Sequence, residues 1–234
     1  MVGYFCFMQI KDHRLVGVPF KASPNIGGTL APQYLIQHFD ASPNATGAIS
    51  WMISPKSKVS AHLHIDREGN ITQLVAFNRI AFHAGVSEWR DLIGLNKYSI
   101  GIEIQNTGSQ EYTTKQMKSV GEVSKRLVEY YSLKEIIGHE DISPIRKNDP
   151  SGTNVNLFDW AVLFIDCGLK IKVLQSTSTL NIRRGQGTQF PIVSQIPSGG
   201  IVYELNRIGE WSKIQLHTTM QSGWVSNKYL TSQV

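Results

Sequence analysis

The sequence predicts an α/β protein in which a mixed central β-sheet is flanked by helices and is followed by a small all-β barrel. Up to Gly168, apolar runs of strand length alternate with helical segments, which is typical of helices packed on a sheet. From Lys170 onward, short β-rich runs separated by glycine and proline follow one another without a helical segment, as in small barrels. This change places a domain boundary near residue 169 and predicts domains at 1–168 and 169–234.

The strands expected in the central sheet lie at residues 34–39, 59–65, 71–77 and 99–104. The run from Tyr34 to Phe39 is interpreted as a buried strand that stops at a polar turn, Asp40 to Pro43. A glycine-containing hairpin loop at 66–70 joins the two middle runs. The last run contains a single carboxylate, Glu103, in otherwise apolar surroundings.

Three segments are expected to be helical. The clearest, Thr113 to Tyr131, starts with a capping box formed by Thr113 and Gln116 and repeats apolar residues at helical spacing. A shorter helix at 158–167 precedes Gly168, a residue typical of the position that follows a helix end. The third, at 45–54, is stopped by Pro55.

The strands expected in the barrel lie at residues 172–174, 180–183, 192–193, 201–205, 211–214 and 223–225. Their regular spacing, with turn residues between them, is the pattern that predicts the second domain.

Composition limits the class of protein. The chain has 234 residues, 41% hydrophobic and 18% charged, and no apolar segment long enough to cross a bilayer. Its net charge of +5 comes from scattered lysines and arginines, which argues against nucleic-acid binding but is compatible with a polyanion such as a cell wall. The apolar start, residues 1–8, has no basic n-region or cleavage site of a secretory signal, so the export route stays open. Cys6 and Cys167 make no disulfide framework and are expected to be inert thiols.

One short segment, Gly138 to Pro150, brings an imidazole, an ammonium and a carboxylate close together. Its two prolines argue against a continuous helix or a central strand, so a shaped loop is expected. From such a loop His139 and Asp149 can both reach one cation, and Lys147 can meet a developing negative charge.

A histidine and a carboxylate upstream complete a candidate catalytic centre. His38 ends a buried strand, and two imidazoles with one carboxylate leave the fourth position of a tetrahedral zinc site open, as in catalytic sites. Glu103 is a candidate general base because a carboxylate is costly in an apolar strand. Other interpretations stay open: a strand histidine is often a hydrogen-bonded core residue, Glu103 would be solvated on an edge strand, and mixed charges are typical of a surface loop.

Several motifs occur in the order found in one known family. They are Val59-Ser60-Ala61-His62, Asp66-Arg67-Glu68-Gly69, Gln73-Leu74-Val75, Ala81-Phe82-His83-Ala84-Gly85, Ser99 to Asn106, and Gly138 to Pro144 followed by Arg146-Lys147 and Asp149-Pro150. Over residues 20–160 or so, the chain resembles the zinc-dependent N-acetylmuramoyl-L-alanine amidases, a superfamily that also contains peptidoglycan recognition proteins and phage amidase lysozymes. The spacing of His139, Lys147 and Asp149 is the specific part of this resemblance.

The resemblance implies roles for the residues of the candidate centre. His38, His139 and Asp149 resemble the ligands of one zinc ion per chain. Glu103 resembles the catalytic acid/base, and Lys147 the residue that polarises the scissile carbonyl.

The resemblance also implies substrate contacts for His83, Trp89 and Asn106. Three positions depart from the family pattern: Asp40 stands where an uncharged threonine is expected, Ile145 stands where glycine is frequent, and Phe82 stands where tryptophan is common. None of these departures removes a ligand.

Residues 172–230 resemble a bacterial SH3-like domain, through the runs Leu180 to Val193, Gly209 to Ile214 and Ser222 to Leu230. Such modules often accompany wall hydrolases as targeting domains, which implies the same role here. Trp211 and Trp224 are expected in its small core.

Together these resemblances imply a two-domain zinc amidase that cleaves the amide between N-acetylmuramic acid and L-alanine. The expected partners are peptidoglycan or muropeptides, with no nucleic acid and no transmembrane segment, and the expected site of action is the cell wall, in the periplasm or outside the cell. Two alternatives stay open: a non-catalytic peptidoglycan-binding protein, and an intracellular recycling amidase acting on anhydro-muropeptides. The oligomeric state and the preferred stem peptide are not determined by the sequence.

Overall fold

The structure is a computed structural model that describes residues 8–232. Cys6 and the apolar segment before Met8 lie outside the described residues. Within residues 8–232, no helix combines the length and the apolar character needed to span a bilayer.

The strands, in chain order, are β1 (Ile10–Lys11), β2 (Arg14–Leu15), β3 (Ile26–Thr29), β4 (Tyr34–Phe39), β5 (Leu63–Ile65), β6 (Ile71–Gln73), β7 (Arg79–Ala81), β8 (Glu88–Trp89), β9 (Leu92–Ile93), β10 (Ser99–Ile104), β11 (Glu135–Gly138), β12 (Lys172–Ser176), β13 (Leu180–Arg183), β14 (Ile192–Ile196), β15 (Ile201–Ile208), β16 (Trp211–Leu216), β17 (Ser222–Ser226) and β18 (Leu230–Ser232). The helices are α1 (Ala45–Met52), α2 (Thr114–Tyr131), α3 (His139–Ile142) and α4 (Trp160–Asp166).

Five strands form the central sheet, in the order β11-β4-β10-β5-β6. The first four are parallel to one another, whereas β6 runs antiparallel to β5. The sheet is therefore mixed and carries helices, which confirms the predicted fold class.

The two faces of the central sheet differ in chemistry. Leucines and isoleucines of β4, β5 and β10 cover one face and share a core with α2 and α4. The opposite face carries His38, Glu103 and His64 in one row, because the parallel register pairs Glu103 with both histidines. This polar row positions the candidate site.

Helix α2 begins as the sequence predicts. The Thr113 hydroxyl accepts a hydrogen bond from the Gln116 backbone N–H, and the Gln116 side chain accepts one from the Thr113 backbone N–H. Helix α4 begins at Trp160 because Asp159 caps it by accepting from the Val162 N–H.

Seven antiparallel strands, in the order β14-β13-β17-β16-β15-β12-β18, form the C-terminal unit, called the barrel below. Its strands curl around one shared core that includes Ile182, Ile196, Val202, Ile214 and Val225. Trp224 is fully buried, but it lies against Trp89, at 6.0 Å between ring centroids, and not in this core. The expectation for Trp224 is thus corrected: it lies where the barrel packs on the central sheet.

Candidate active site

Three ligand atoms converge at the carboxyl ends of β4 and β11, which are parallel neighbours in the sheet. His38 lies near the end of β4, His139 directly follows β11, and the loop after α3 brings Asp149 back to the same point. His38 Nδ1 lies 2.9 Å from His139 Nδ1 and 3.1 Å from Asp149 Oδ2. His139 Nδ1 lies 3.0 Å from Asp149 Oδ2, and all three residues are buried.

The second nitrogen of each imidazole already has a hydrogen-bond partner. His139 Nε2 lies 3.0 Å from the Ala84 carbonyl oxygen, and a carbonyl only accepts, so this nitrogen carries the proton. His83 Nε2 donates in the same way to the Ser99 carbonyl at 3.4 Å. His83 Nδ1 is therefore an acceptor, and it takes the proton of His38 Nε2 at 3.0 Å. These tautomers, inferred from the partners, leave both ligand Nδ1 atoms with free lone pairs.

This donor set fits a metal ion. Burial, and after it the neighbouring His139, lowers the pKa of His38 to about 4, so the His38 ring is neutral. Burial raises the pKa of Asp149, but the adjoining imidazoles of His139 and His38 outweigh this effect and hold it below its ordinary value. Two neutral imidazoles and a carboxylate that turn lone pairs toward one point repel one another unless a cation lies between them.

Glu103 lies beside these ligands, because β10 is the next strand after β4 and the register pairs Glu103 with His38. Its Oε2 is shielded from solvent and has no hydrogen-bond partner among residues 8–232. Burial raises the pKa of Glu103 well above its ordinary value of 4.5, and Asp149 and Asp40 add to this shift. A carboxyl group whose pKa is raised in this way holds a proton more readily than a free glutamate, which suits it to proton transfer.

Lys147 is half-buried on the loop between His139 and Asp149. Its positive charge opposes the rise in the pKa of Glu103 and contributes to the lowered pKa of His38. Lys147 therefore acts electrostatically on both side chains.

The three expected substrate contacts all have hydrogen-bond partners inside the protein, and their role toward substrate stays a prediction. His83 is 8% exposed and is engaged with His38, as described above. Trp89 is 2% exposed and donates its indole N–H to Glu135 at 2.6 Å. Asn106 is fully buried. Its side-chain amide donates to the Gln110 carbonyl and accepts from the Gly108 backbone N–H. A motif shows which residues are present but not which way their side chains turn, and these three turn into the protein.

Two of the departures from the family pattern, Asp40 and Ile145, leave the three converging ligands undisturbed. Asp40 accepts from His64 Nε2 at 2.8 Å and from the Asn106 backbone N–H at 3.1 Å, so its carboxylate is already engaged. The sequence reasoning missed this pair, and the signal was available: both residues lie at the ends of expected strands. Ile145 is 88% exposed, so its side chain projects into solvent.

The sequence is similar to known families and to curated proteins. A family model described as N-acetylmuramoyl-L-alanine amidase matches residues 28–152, and one described as bacterial SH3 domain matches residues 178–231. The 1,6-anhydro-N-acetylmuramyl-L-alanine amidase AmpD of Escherichia coli K12 is 42% identical over 106 residues, 44% of this chain and 56% of that protein. The N-acetylmuramoyl-L-alanine amidase AmiD of the same strain is 36% identical over 104 residues, 40% of this chain and 36% of AmiD. The chain thus spans about half the length, or less, of these curated relatives.

Solved structures show the same fold. A selenomethionine derivative of AmpD matches with a TM-score of 0.59 at 30% identity, over 68% of this chain and 99% of that chain. AmiD from E. coli, solved with the substrate anhydro-N-acetylmuramic acid-L-Ala-D-γ-Glu-L-Lys, matches with a TM-score of 0.53 at 25% identity, over 70% and 66% of the two chains. The amidase family model covers more than half of the sequence and includes all three converging ligands. This chain therefore belongs to the N-acetylmuramoyl-L-alanine amidase family.

Proposed function

We propose that this protein hydrolyses the amide bond between N-acetylmuramic acid and L-alanine, and that one zinc ion is held by His38, His139 and Asp149. The observation that carries the proposal is the convergence of His38 Nδ1, His139 Nδ1 and Asp149 Oδ2 within 3.1 Å of one another. The amidases AmpD and AmiD, whose names specify this type of bond, support the choice of substrate.

The residues around the ligands supply the proton transfers and the charge that amide hydrolysis requires. A zinc ion in this site supplies a Lewis acid, which acidifies water and polarises a carbonyl oxygen. Glu103 accepts a proton as water attacks the amide carbon and returns it to the nitrogen of L-alanine as the C–N bond breaks. The products are the muramic acid carboxylate and a free amine. Lys147 places a positive charge near the carbonyl oxygen as that oxygen becomes negative.

The same features favour hydrolysis over binding alone. A protein that only recognises muropeptides needs neither three converging metal ligands nor a carboxyl group with an unpaired, shielded oxygen. Burying Glu103 in this state costs stability, and such a cost is typical of residues kept for chemistry. The non-catalytic alternative is therefore the less favoured one.

Two substrates of different size are compatible with this chemistry. The match to a bacterial SH3 domain favours polymeric peptidoglycan, with the barrel, residues 169–234, as a targeting domain beside an amidase domain at 1–168. Action on the wall would place the protein in the periplasm or outside the cell. The second candidate is a soluble anhydro-muropeptide, which the name of AmpD and the complex of AmiD both favour.

Purified protein should be incubated separately with intact sacculi and with an anhydro-muropeptide, and the products analysed by mass spectrometry. We expect a stem peptide with a free L-alanine amine, produced with zinc and lost after chelation or in Glu103→Ala. Full activity after chelation, or in Glu103→Ala, would contradict the mechanism. Binding without cleavage would favour a recognition protein, and cleavage of the soluble fragment alone would favour the second candidate.

A further inference from the structure

A buried lysine of the barrel contacts the segment that carries the proposed metal ligands. Lys213, on β16, is 5% exposed, and its Nζ lies 2.9 Å from Glu140 Oε1 and 2.8 Å from Asp141 Oδ1. Glu140 and Asp141 directly follow His139 in the short helix α3. These three charged residues are called the buried triad below.

The Asp141 carboxylate and the Glu140 backbone are both hydrogen-bonded to the chain around the ligands. Asp141 Oδ2 accepts at 2.9 Å from the backbone N–H of Gly138, the residue before His139. The backbone N–H of Glu140 donates to the carbonyl oxygen of Asp149 at 2.8 Å. A displacement of Asp141 is therefore transmitted to the residue before His139, and a displacement of the Glu140 backbone is transmitted to Asp149.

The barrel supplies a second donor next to the lysine. Trp224, on β17, is directly opposite Lys213 in the antiparallel register, and its indole N–H donates to Asp141 Oδ1 at 3.0 Å. Two neighbouring strands thus present an ammonium and an N–H group to the same carboxylate. Because the donors belong to a rigid sheet, they hold Asp141 in one place.

The charges explain why the lysine is needed. Glu140 is 2% exposed and Asp141 is 7% exposed, so water does not screen their mutual repulsion. Burial lowers the pKa of Lys213, but Asp141 and Glu140 outweigh this effect and raise it, so the side chain stays cationic. Without this cation, the turn that carries His139 would be pushed apart by its own two carboxylates.

We propose that Lys213 is a positioning residue through which the barrel holds His139 and Asp149 in the geometry that binds the metal. The barrel then supports the metal site structurally, in addition to any role in attaching the protein to the wall. The proposal rests on the proposed metal site, but not on the identity of the substrate.

Zinc affinity of the full chain, measured by competition with a chromophoric chelator, tests this proposal. We expect Lys213→Met to weaken zinc binding by about 10- to 100-fold, as for other residues that orient metal ligands, and to change the visible absorption of the Co²⁺-loaded protein. Adding Glu140→Gln to Lys213→Met should recover much of the loss, because it removes the carboxylate left without a cation. Lys172→Met is the matched control, since Lys172 lies on β12 of the same barrel with a side chain that is 71% exposed.

A second variant covers the case in which Lys213→Met does not fold. Trp224→Phe removes the N–H donor to Asp141 together with part of the buried ring that packs on Trp89, and should weaken zinc binding at least a few-fold, roughly the value of one hydrogen bond. The proposal would be overturned if Lys213→Met folds, even with lower stability, and keeps the zinc affinity and Co²⁺ spectrum of the wild type. If Lys213→Met is unfolded, the same result in Trp224→Phe would overturn it. Failure of the proposed function is a separate result: the wild type would bind zinc tightly and yet release no stem peptide.

Discussion

At the scale of single residues, Glu103 occupies a position where a carboxylate lowers the stability of the fold. The residues on either side of it in β10, Ile102 and Ile104, are fully buried, and its own Oε2 has no partner among the described residues. The charged form of Glu103 is therefore disfavoured in the folded protein, which is why its pKa is raised. The same property makes it a suitable proton carrier.

We expect Glu103→Gln to abolish amide hydrolysis and to stabilise the metal-free protein at neutral pH. Because the pKa of Glu103 is raised in the folded state, the folded protein binds more protons than the unfolded one above pH 4.5, and its stability falls as pH rises through the folded pKa. Glutamine has a similar shape and does not ionise. Urea unfolding of the chelator-treated proteins should give a higher free energy of unfolding for Glu103→Gln than for the wild type at pH 7, and a much smaller difference at pH 4. A variant less stable than the wild type at pH 7 would contradict this account.

His83 is expected to act on metal binding and not on substrate binding. His83→Phe removes the acceptor that fixes the His38 ring, so zinc affinity should fall by about 10- to 100-fold. Calorimetric titration with zinc measures this effect. The exposed His217 offers the control His217→Phe, which should bind zinc like the wild type. Unchanged zinc affinity in His83→Phe, with a raised KM, would instead restore the substrate contact that the sequence implies.

At the scale of elements, the register of three strands builds the site. Parallel pairing of β4, β10 and β5 places His38, Glu103 and His64 on one face, while the alternate residues face the helices. A slip of one residue in β10 would turn Glu103 into the apolar core, so the buried face specifies the register. Helix α2 contributes by covering that apolar face.

The cap of α2 should affect stability without affecting chemistry. Thr113→Ala removes the hydroxyl that accepts from the Gln116 N–H and donates to the Arg67 carbonyl, which should lower the free energy of unfolding by about 1–2 kcal/mol. Chemical denaturation measures the loss, and amide hydrolysis should be unchanged at temperatures well below unfolding. Thr114→Ala, at the exposed next position, is the control and should change stability by only a few tenths of a kcal/mol. Equal losses in both variants would argue against the capping box.

Some elements could be predicted residue by residue and others could not. The bounds of β4 and β10 agree with the expected runs, because both are apolar segments that end at polar turns. Helix α3, His139–Ile142, was expected to be loop. A single helical turn is too short for apolar periodicity to appear, and its stability depends on contacts with distant residues such as Lys213.

At the scale of the whole molecule, buried neutral histidines link folding to pH. His62 is fully buried between its two partners, the Gly101 N–H and the Arg79 carbonyl, and burial lowers its pKa from 6.5 to about 4. The unfolded chain therefore binds a proton in this pH range that the folded chain does not, so stability rises with pH from 4 to 6.5.

Acidification should therefore destabilise the metal-free protein. The contribution of His62 alone corresponds to about 3 kcal/mol lost between pH 6.5 and 4. Urea unfolding at pH 7, 6 and 5 should show a falling midpoint, with a smaller decline in His62→Gln and the wild-type decline in His217→Gln. An equal decline in wild type and His62→Gln would refute the assignment of a neutral buried ring.

By itself, the sequence determined the fold class, the family and the candidate ligands His38, His139 and Asp149, because apolar periodicity and motif spacing are local properties of the chain. Only the tertiary structure decided which side chains face the ligands and which turn inward, as His83 and Trp89 do. It alone also joined Lys213 to Asp141, 72 residues apart in the chain. The physical reason is that side-chain direction and long-range pairing arise from packing between elements, which no local pattern records.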